Sequence, residues 1–222
     1  MSVTRLLVLG AVRIFQPAHG YLVRRELISW HAQDWANLNP GSVYNALRSL
    51  TRDGLLEERT AAVAVGGTGP AARATYQLTP DGETEFMGLV REAVWQLHLY
   101  QPAWLEAGLS FWWVLSRQEV LEALAARRAQ LQAQVPLADY HADLVHRSPG
   151  KPDHVAEHFL LGRAFVNAEL AWVEEVTARI RAGAYGFAGE DPQRQGMDLS
   201  QSPFGSAPTD GGPINSQRNI QS

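Results

Sequence analysis

The stretch NPGSVYNALRSLTRDGLLEE, residues 39–58, leaves a chain few ways to fold. Asn39 is a helix-capping residue, and Pro40 suits the first helical position, where its missing N–H has no partner to lose. Val43, Ala46, Leu47 and Leu50 then recur at the spacing of one helical face, which is reserved for a core. Asn45, Arg48, Ser49 and Arg52 point the opposite way, with Tyr44 on the flank. Gly54 stops the helix, and the apolar residues after it begin a strand. A short helix with one buried face needs neighbours, and its other face is left for recognition or for solvent.

The neighbours are legible. Leu6, Leu7, Gly10, Ala11 and Ile14 predict a first helix over 3–15, closed by Pro17. HGYLVRREL starts a second at about Tyr21, and HAQDWANLN connects it to Asn39. LLEERTAAVAV and RATYQLT read as two strands around a GGTGPAA turn, in which glycine and proline supply the turn conformations. Thr79 caps the next helix, with Pro80 at its first position, and that helix is expected to run to about Tyr100. The order is helix, helix, helix, strand, strand, helix.

The second half reads as all-helical. One helix is expected from Arg117 to Val135, ended by Pro136, and a last one from His154 to Arg181. Along the latter Phe159, Val166, Val173 and Ile180 recur every seven residues, a seam for a partner helix from the same chain or a second subunit. From Gly186 the sequence is rich in Gly, Pro, Ser, Gln and Asp, a composition that cannot bury enough apolar surface to offset chain entropy. The expected organisation is an N-terminal unit over 1–82, a helical unit over 83–185 and a disordered tail over 186–222.

Charge narrows the function. The chain carries −4 overall, yet residues 1–80 hold eight arginines against five acids, while 81–185 is net acidic. A local basic face on an acidic body is compatible with a nucleic-acid partner. There is no cysteine, which excludes disulfides and thiolate metal sites. The apolar run at the N-terminus is shorter than the roughly 20 residues of a membrane span and has no cleavage site after it, so it reads as a core helix. His154 and His158 stand four apart without a third fixed ligand, and no metal or cofactor is expected. No glycine-rich phosphate loop, nucleophile motif or paired-acid signature points to an enzyme.

Three helices followed by a two-stranded wing is the winged helix-turn-helix plan. HGYLVRREL at 19–27, NPGSVYNALRSLTRDGLLE at 39–57 and YQLTPDG at 76–82 together resemble the PadR family of transcriptional regulators, and the looser resemblance of the C-terminal helices extends it over about residues 3–182. The resemblance implies a mainly α fold: an N-terminal winged helix-turn-helix DNA-binding domain over 1–82 plus a C-terminal all-helical dimerisation and effector domain over 83–185. It implies a cytoplasmic homodimer, usually a repressor, on an inverted-repeat double-stranded DNA operator, with release by a small aromatic effector. Carried over by residue, Tyr21 meets a phosphate. Ser42, Tyr44, Asn45, Arg48 and Arg52 lie on the groove helix, and Arg73 and Thr75 on the wing. Arginine can bond guanine bidentately, Asn can pair with adenine, and Tyr and Ser hydroxyls suit phosphate oxygens. Trp95 sits where a drug-binding member of the family stacks planar ligands, and Trp112 and Trp113, in FWWV, are candidates to line an apolar pocket. The uncharged wing tip departs from strong minor-groove insertion. It keeps open a second reading, a winged helix used as a protein-interaction module without sequence-specific DNA binding.

Overall fold

The protein is represented by a computed structural model that describes residues 2–60 and 74–190. Its elements run α1 (Val3–Phe15), β1 (Ala18–His19), α2 (Gly20–Ser29), α3 (Ala32–Trp35), α4 (Pro40–Arg52), β2 (Leu56–Thr60), β3 (Ala74–Leu78), α5 (Pro80–Trp95), α6 (Pro102–Leu109), α7 (Arg117–His146) and α8 (Ala156–Arg181), with single 3₁₀ turns at Trp112–Val114 and Asp153–Val155. The fold is mainly helical with one small antiparallel sheet. The connector before Asn39 holds a helical turn, α3, so the expected third helix is α4.

The sheet has three strands where two are expected. β1 lies on the far side of β3, in the order β1-β3-β2, with Ala18 opposite Tyr76 and Leu56 opposite Leu78. Two residues have no periodicity to show, which is why β1 is not visible in the sequence. The wing tip lies outside the described residues.

α1 is the hub. Its residues Leu6, Leu7, Val8, Leu9, Ala11 and Val12 are all fully buried, so the helix is enclosed on every side. α2, α4, β3, α5 and α6 pack around it. Phe111 reaches the same core with its ring 5.4 Å from Phe86 and 5.9 Å from Trp30. One continuous core therefore crosses the boundary expected at residue 83, because α5 and α6 close the α1 side of the winged helix.

The motif YQLTPDG has a packing explanation. The Thr79 hydroxyl donates to the Gly54 carbonyl at 2.8 Å and accepts from the Gly82 N–H at 3.0 Å, tying the end of α4 to the start of α5. Gly54 has φ +75°, the left-handed conformation that closes helices. Gly82 is required by proximity, since a Cβ there would lie 2.0 Å from the Leu55 carbonyl oxygen. Gly82→Ala is expected to cost about 1–3 kcal/mol through overpacking. Gly88→Ala on the same helix meets nothing within 4 Å and is expected to stabilise by about 0.5–1 kcal/mol. Thermal melts of the two variants should move in opposite directions. Equal shifts would show that the Leu55 contact is not what makes position 82 a glycine.

Two boundaries differ from expectation. α5 ends at Trp95, because the backbone turns extended at Gln96, and α6 follows after a short loop. α7 runs through Pro136 to His146. Pro136 removes one helical hydrogen bond at an exposed position, and packing against α8 holds the helix together across it. The ends of α7 and α8 are joined over 147–155, and their cross-links include Arg127–Glu169, Asp139–Arg163 and His141 stacked on Phe159. Numbers rise on α7 as they fall on α8, so the pair is antiparallel. The seven-residue seam is used within the chain: Val166, Val173 and Ile180 are buried, and α7 is the neighbour of α8.

Residues 186–190 correct the expected tail, because they are packed. Phe187 is fully buried against Trp112, with ring centroids 5.9 Å apart. Arg117 holds this segment. Its guanidinium donates to the carbonyls of Ile180 at 2.6 Å, Ala184 at 3.0 Å and Tyr185 at 2.8 Å, pairs with Glu190 at 2.6 Å, and lies 4.9 Å from the centre of the Phe187 ring. Composition hides this, because one phenylalanine in a polar run carries no period. Residues 191–222 lie outside the described residues.

Candidate nucleic-acid interface

α4 is divided by burial as its sequence predicts. Val43, Leu47 and Leu50 are buried, and Tyr44, Asn45, Arg48 and Arg52 are exposed. The cap that starts the helix is formed: the Asn39 side-chain oxygen accepts from the Ser42 N–H at 2.8 Å. The Ser42 hydroxyl in turn donates to the Asn39 carbonyl at 2.7 Å, so its proton is engaged and its lone pairs remain.

The polar face is organised internally. Arg48 donates to the Asn45 side-chain oxygen, and Arg52 reaches Ser49 Oγ at 3.3 Å. Asp53, just beyond the helix, takes a 2.9 Å bond from Arg5, which together with the nearby guanidinium of Arg52 holds its carboxyl below the ordinary range. Its negative charge is thus tied chiefly to α1, leaving Arg52 only a looser 3.7 Å approach.

Tyr21 is 58% exposed at the start of α2. Tyr44 passes close to Gly20, where a Cβ would lie 3.1 Å from its ring. Tyr44 on α4 thus stands beside the start of α2, next to the position of Tyr21. Thr75 on β3 is half-buried, and its hydroxyl donates to the Arg59 carbonyl at 3.2 Å. Arg73 lies outside the described residues.

Two features add to this face. Ser2, Thr4 and Arg5 from the start of α1 meet Ser42, Asn45 and Ser49 across a shallow groove of about 370 Å³, which adds hydroxyls beside the polar face of α4. Their separation along the chain hides the grouping. The described part of the wing is also not basic. Arg59 is held by Glu57 at 3.1 Å, which lowers the Glu57 carboxyl and raises the guanidinium. Glu58 stands opposite Tyr76 in the ladder, and the Tyr76 phenol is pushed up first by burial and then by that carboxylate.

The three candidate ligand tryptophans are half-buried and in use. Trp95 packs on the main core, Trp112 contacts Tyr185 and Phe187, and Trp113 lies under Arg13 at 5.8 Å. A cavity with a mainly apolar lining lies elsewhere, between α6, α7 and α8.

Helices α1, α2 and α4 with the β2–β3 wing define a winged helix-turn-helix protein. Within that class, residues 8–87 match the model of the transcriptional regulator PadR-like family, a stretch that runs from within α1 to within α5. No curated relative matches the chain in sequence. Among solved structures it is similar to PadR of Bacillus subtilis in complex with operator DNA, at 19% identity and TM-score 0.35, covering 79% of this chain and 98% of that one. It is similar to the same protein in complex with p-coumaric acid, at 18% identity and TM-score 0.32, covering 81% and 99%. The PadR-like regulator BC1756 of Bacillus cereus follows at 14% identity and TM-score 0.32, covering 81% and 99%. At these scores no contact is carried from those structures to this chain. Among the described residues no helix is long and apolar enough to cross a membrane.

Proposed function

We propose that this chain is a DNA-binding transcriptional regulator, a cytoplasmic repressor that reads an inverted-repeat operator as a homodimer and answers to a small aromatic effector. The observation that carries the reading is the split of α4, with its apolar side consumed by the core and Tyr44, Asn45, Arg48 and Arg52 together on the exposed side. In this reading α4 enters the major groove, Asn45 and Arg48 read base edges, and Tyr21, Ser42, Tyr44 and Arg52 position the protein on phosphates. Arg73 and Thr75 on the wing meet the flanking backbone. Residues 1–82 supply the reading unit and 83–185 the dimerising one. Exposed Leu137, Tyr140 and Leu144 on α7 and Leu161 on α8 offer apolar surface for a second subunit.

A protein-interaction module is the second reading, and the wing favours it. Glu57 and Glu58 cancel Arg59, while Arg5, Arg13 and Arg25 are each bound to acids. Salt separates the two readings, because phosphate contacts release counterions. The test is a fluorescence-anisotropy titration on an operator selected from a random library and on a scrambled duplex, at several salt concentrations. The expected result is a steep negative salt slope. Arg73→Ala should flatten it by about one unit for each phosphate that the arginine neutralises, and should weaken binding similarly on both duplexes. A salt-independent affinity, or none, gives the second reading first place.

A further inference from the structure

The three helices α6, α7 and α8 and the loop before α6 enclose a cavity of about 540 Å³, a size that suits a small organic ligand. Its walls include the aromatic rings of Tyr100, Phe165 and Trp172. Tyr100 and Phe165 are 63% and 58% exposed, so two of these rings stand at an accessible surface. Flat aromatic walls select a planar guest.

The charges in the lining decide what kind. Arg127 is 3% exposed, and its guanidinium is committed to Glu169 at 2.5 Å and to the Gln96 carbonyl at 2.9 Å. Those two opposite charges cancel. Glu106, also in the lining, makes no ion pair among the described residues. One uncompensated carboxylate among aromatic faces favours a cation, because both the carboxylate and the ring quadrupoles attract positive charge. His98, also in the lining, is stacked on the buried Trp104 at 5.2 Å.

We propose that this cavity is a binding site for planar aromatic cations, with Glu106 as the counter-charge and Tyr100, Phe165 and Trp172 as the stacking walls. The proposal deepens the reading of an effector-responsive regulator and places the effector away from Trp95, Trp112 and Trp113.

The experiment uses the full chain without DNA and two tricyclic dyes of similar size and opposite charge, proflavine and 9-anthracenecarboxylate, each followed by its own fluorescence anisotropy. Proflavine is expected to bind about tenfold more tightly. Glu106→Gln should remove that preference, and Phe165→Ala should weaken both dyes. Glu106 is partly exposed and outside any ion pair among the described residues, so its variant should keep the parent melting temperature, and the melt is recorded for each variant. Equal affinity for the two dyes overturns the proposal, as does a proflavine preference that survives Glu106→Gln. Absence of proflavine binding overturns it too. If Phe165→Asp then converts a dimer to monomers by light scattering, the face belongs to a subunit interface. Because no DNA is present, a chain that fails here yet binds an operator loses only the cavity site. A chain that takes up proflavine but binds no DNA loses only the regulatory reading.

Discussion

Arg48→Ala is expected to weaken binding to a selected operator by about 1–3 kcal/mol in each half-site, and by roughly twice that for a symmetric dimer, while relaxing the sequence preference at the base it reads. The structure adds a reason for the size of the effect. Arg48 is bonded to Asn45, so the arginine is held near one geometry before DNA arrives, and less side-chain freedom is lost on binding. Asn45→Ala should therefore reduce selectivity at two positions: its own base, and the one read by an Arg48 without its support. Gel-shift titrations of parent and variants on operator and scrambled duplexes measure both quantities. If Arg48→Ala and Arg52→Ala bind the operator as tightly and selectively as the parent, α4 is not the reader.

Truncation after Ala184 is expected to cost about 3–5 kcal/mol, because it removes the fully buried ring of Phe187 and opens the space it fills. Loss of the Arg117–Glu190 pair, whose side chains are partly exposed at 22% and 26%, adds a smaller part. For a chain of this length the loss corresponds to a fall of about 10 °C in melting temperature. Truncation after Glu190 keeps the clamp and is expected to melt within about 2 °C of the full chain. Differential scanning calorimetry of the two truncations decides the matter. A parent-like melt after removal of everything beyond Ala184 would mean that the 185–190 segment does not hold the body together.

α4 and the 185–190 segment differ in how much of each is legible in the sequence. Asn39 and Pro40 announce the start of α4, Gly54 its end, and the spacing of Val43, Leu47 and Leu50 its inner face, all within one short stretch. Local capping chemistry and a single period suffice for that, and the candidate reading face follows as the complement of the buried one. The motif around Thr79 and Gly82 is recognisable as a pattern, but its reason lies in Leu55, whose carbonyl fills the space where a side chain at 82 would go.

Pro136 and Phe187 mark the limits of such local reading. A proline reads locally as a stop, yet α7 continues because α8 packs along it, and the packing outweighs one missing hydrogen bond. A polar, glycine-rich segment reads as free, yet one aromatic ring and one arginine clamp reverse its fate. The tryptophans invite attention by their chemistry, while the mainly apolar cavity is built by residues brought together from three separated segments. By itself the sequence determined the elements whose signals are local: helix caps, one-face periodicities, the strand pair and the winged-helix order. Tertiary structure alone decided where α7 ends, which part of the last segment is anchored, and which side chains share a cavity. Each of those depends on contacts between residues far apart in the chain, whose energies no window of neighbouring residues contains.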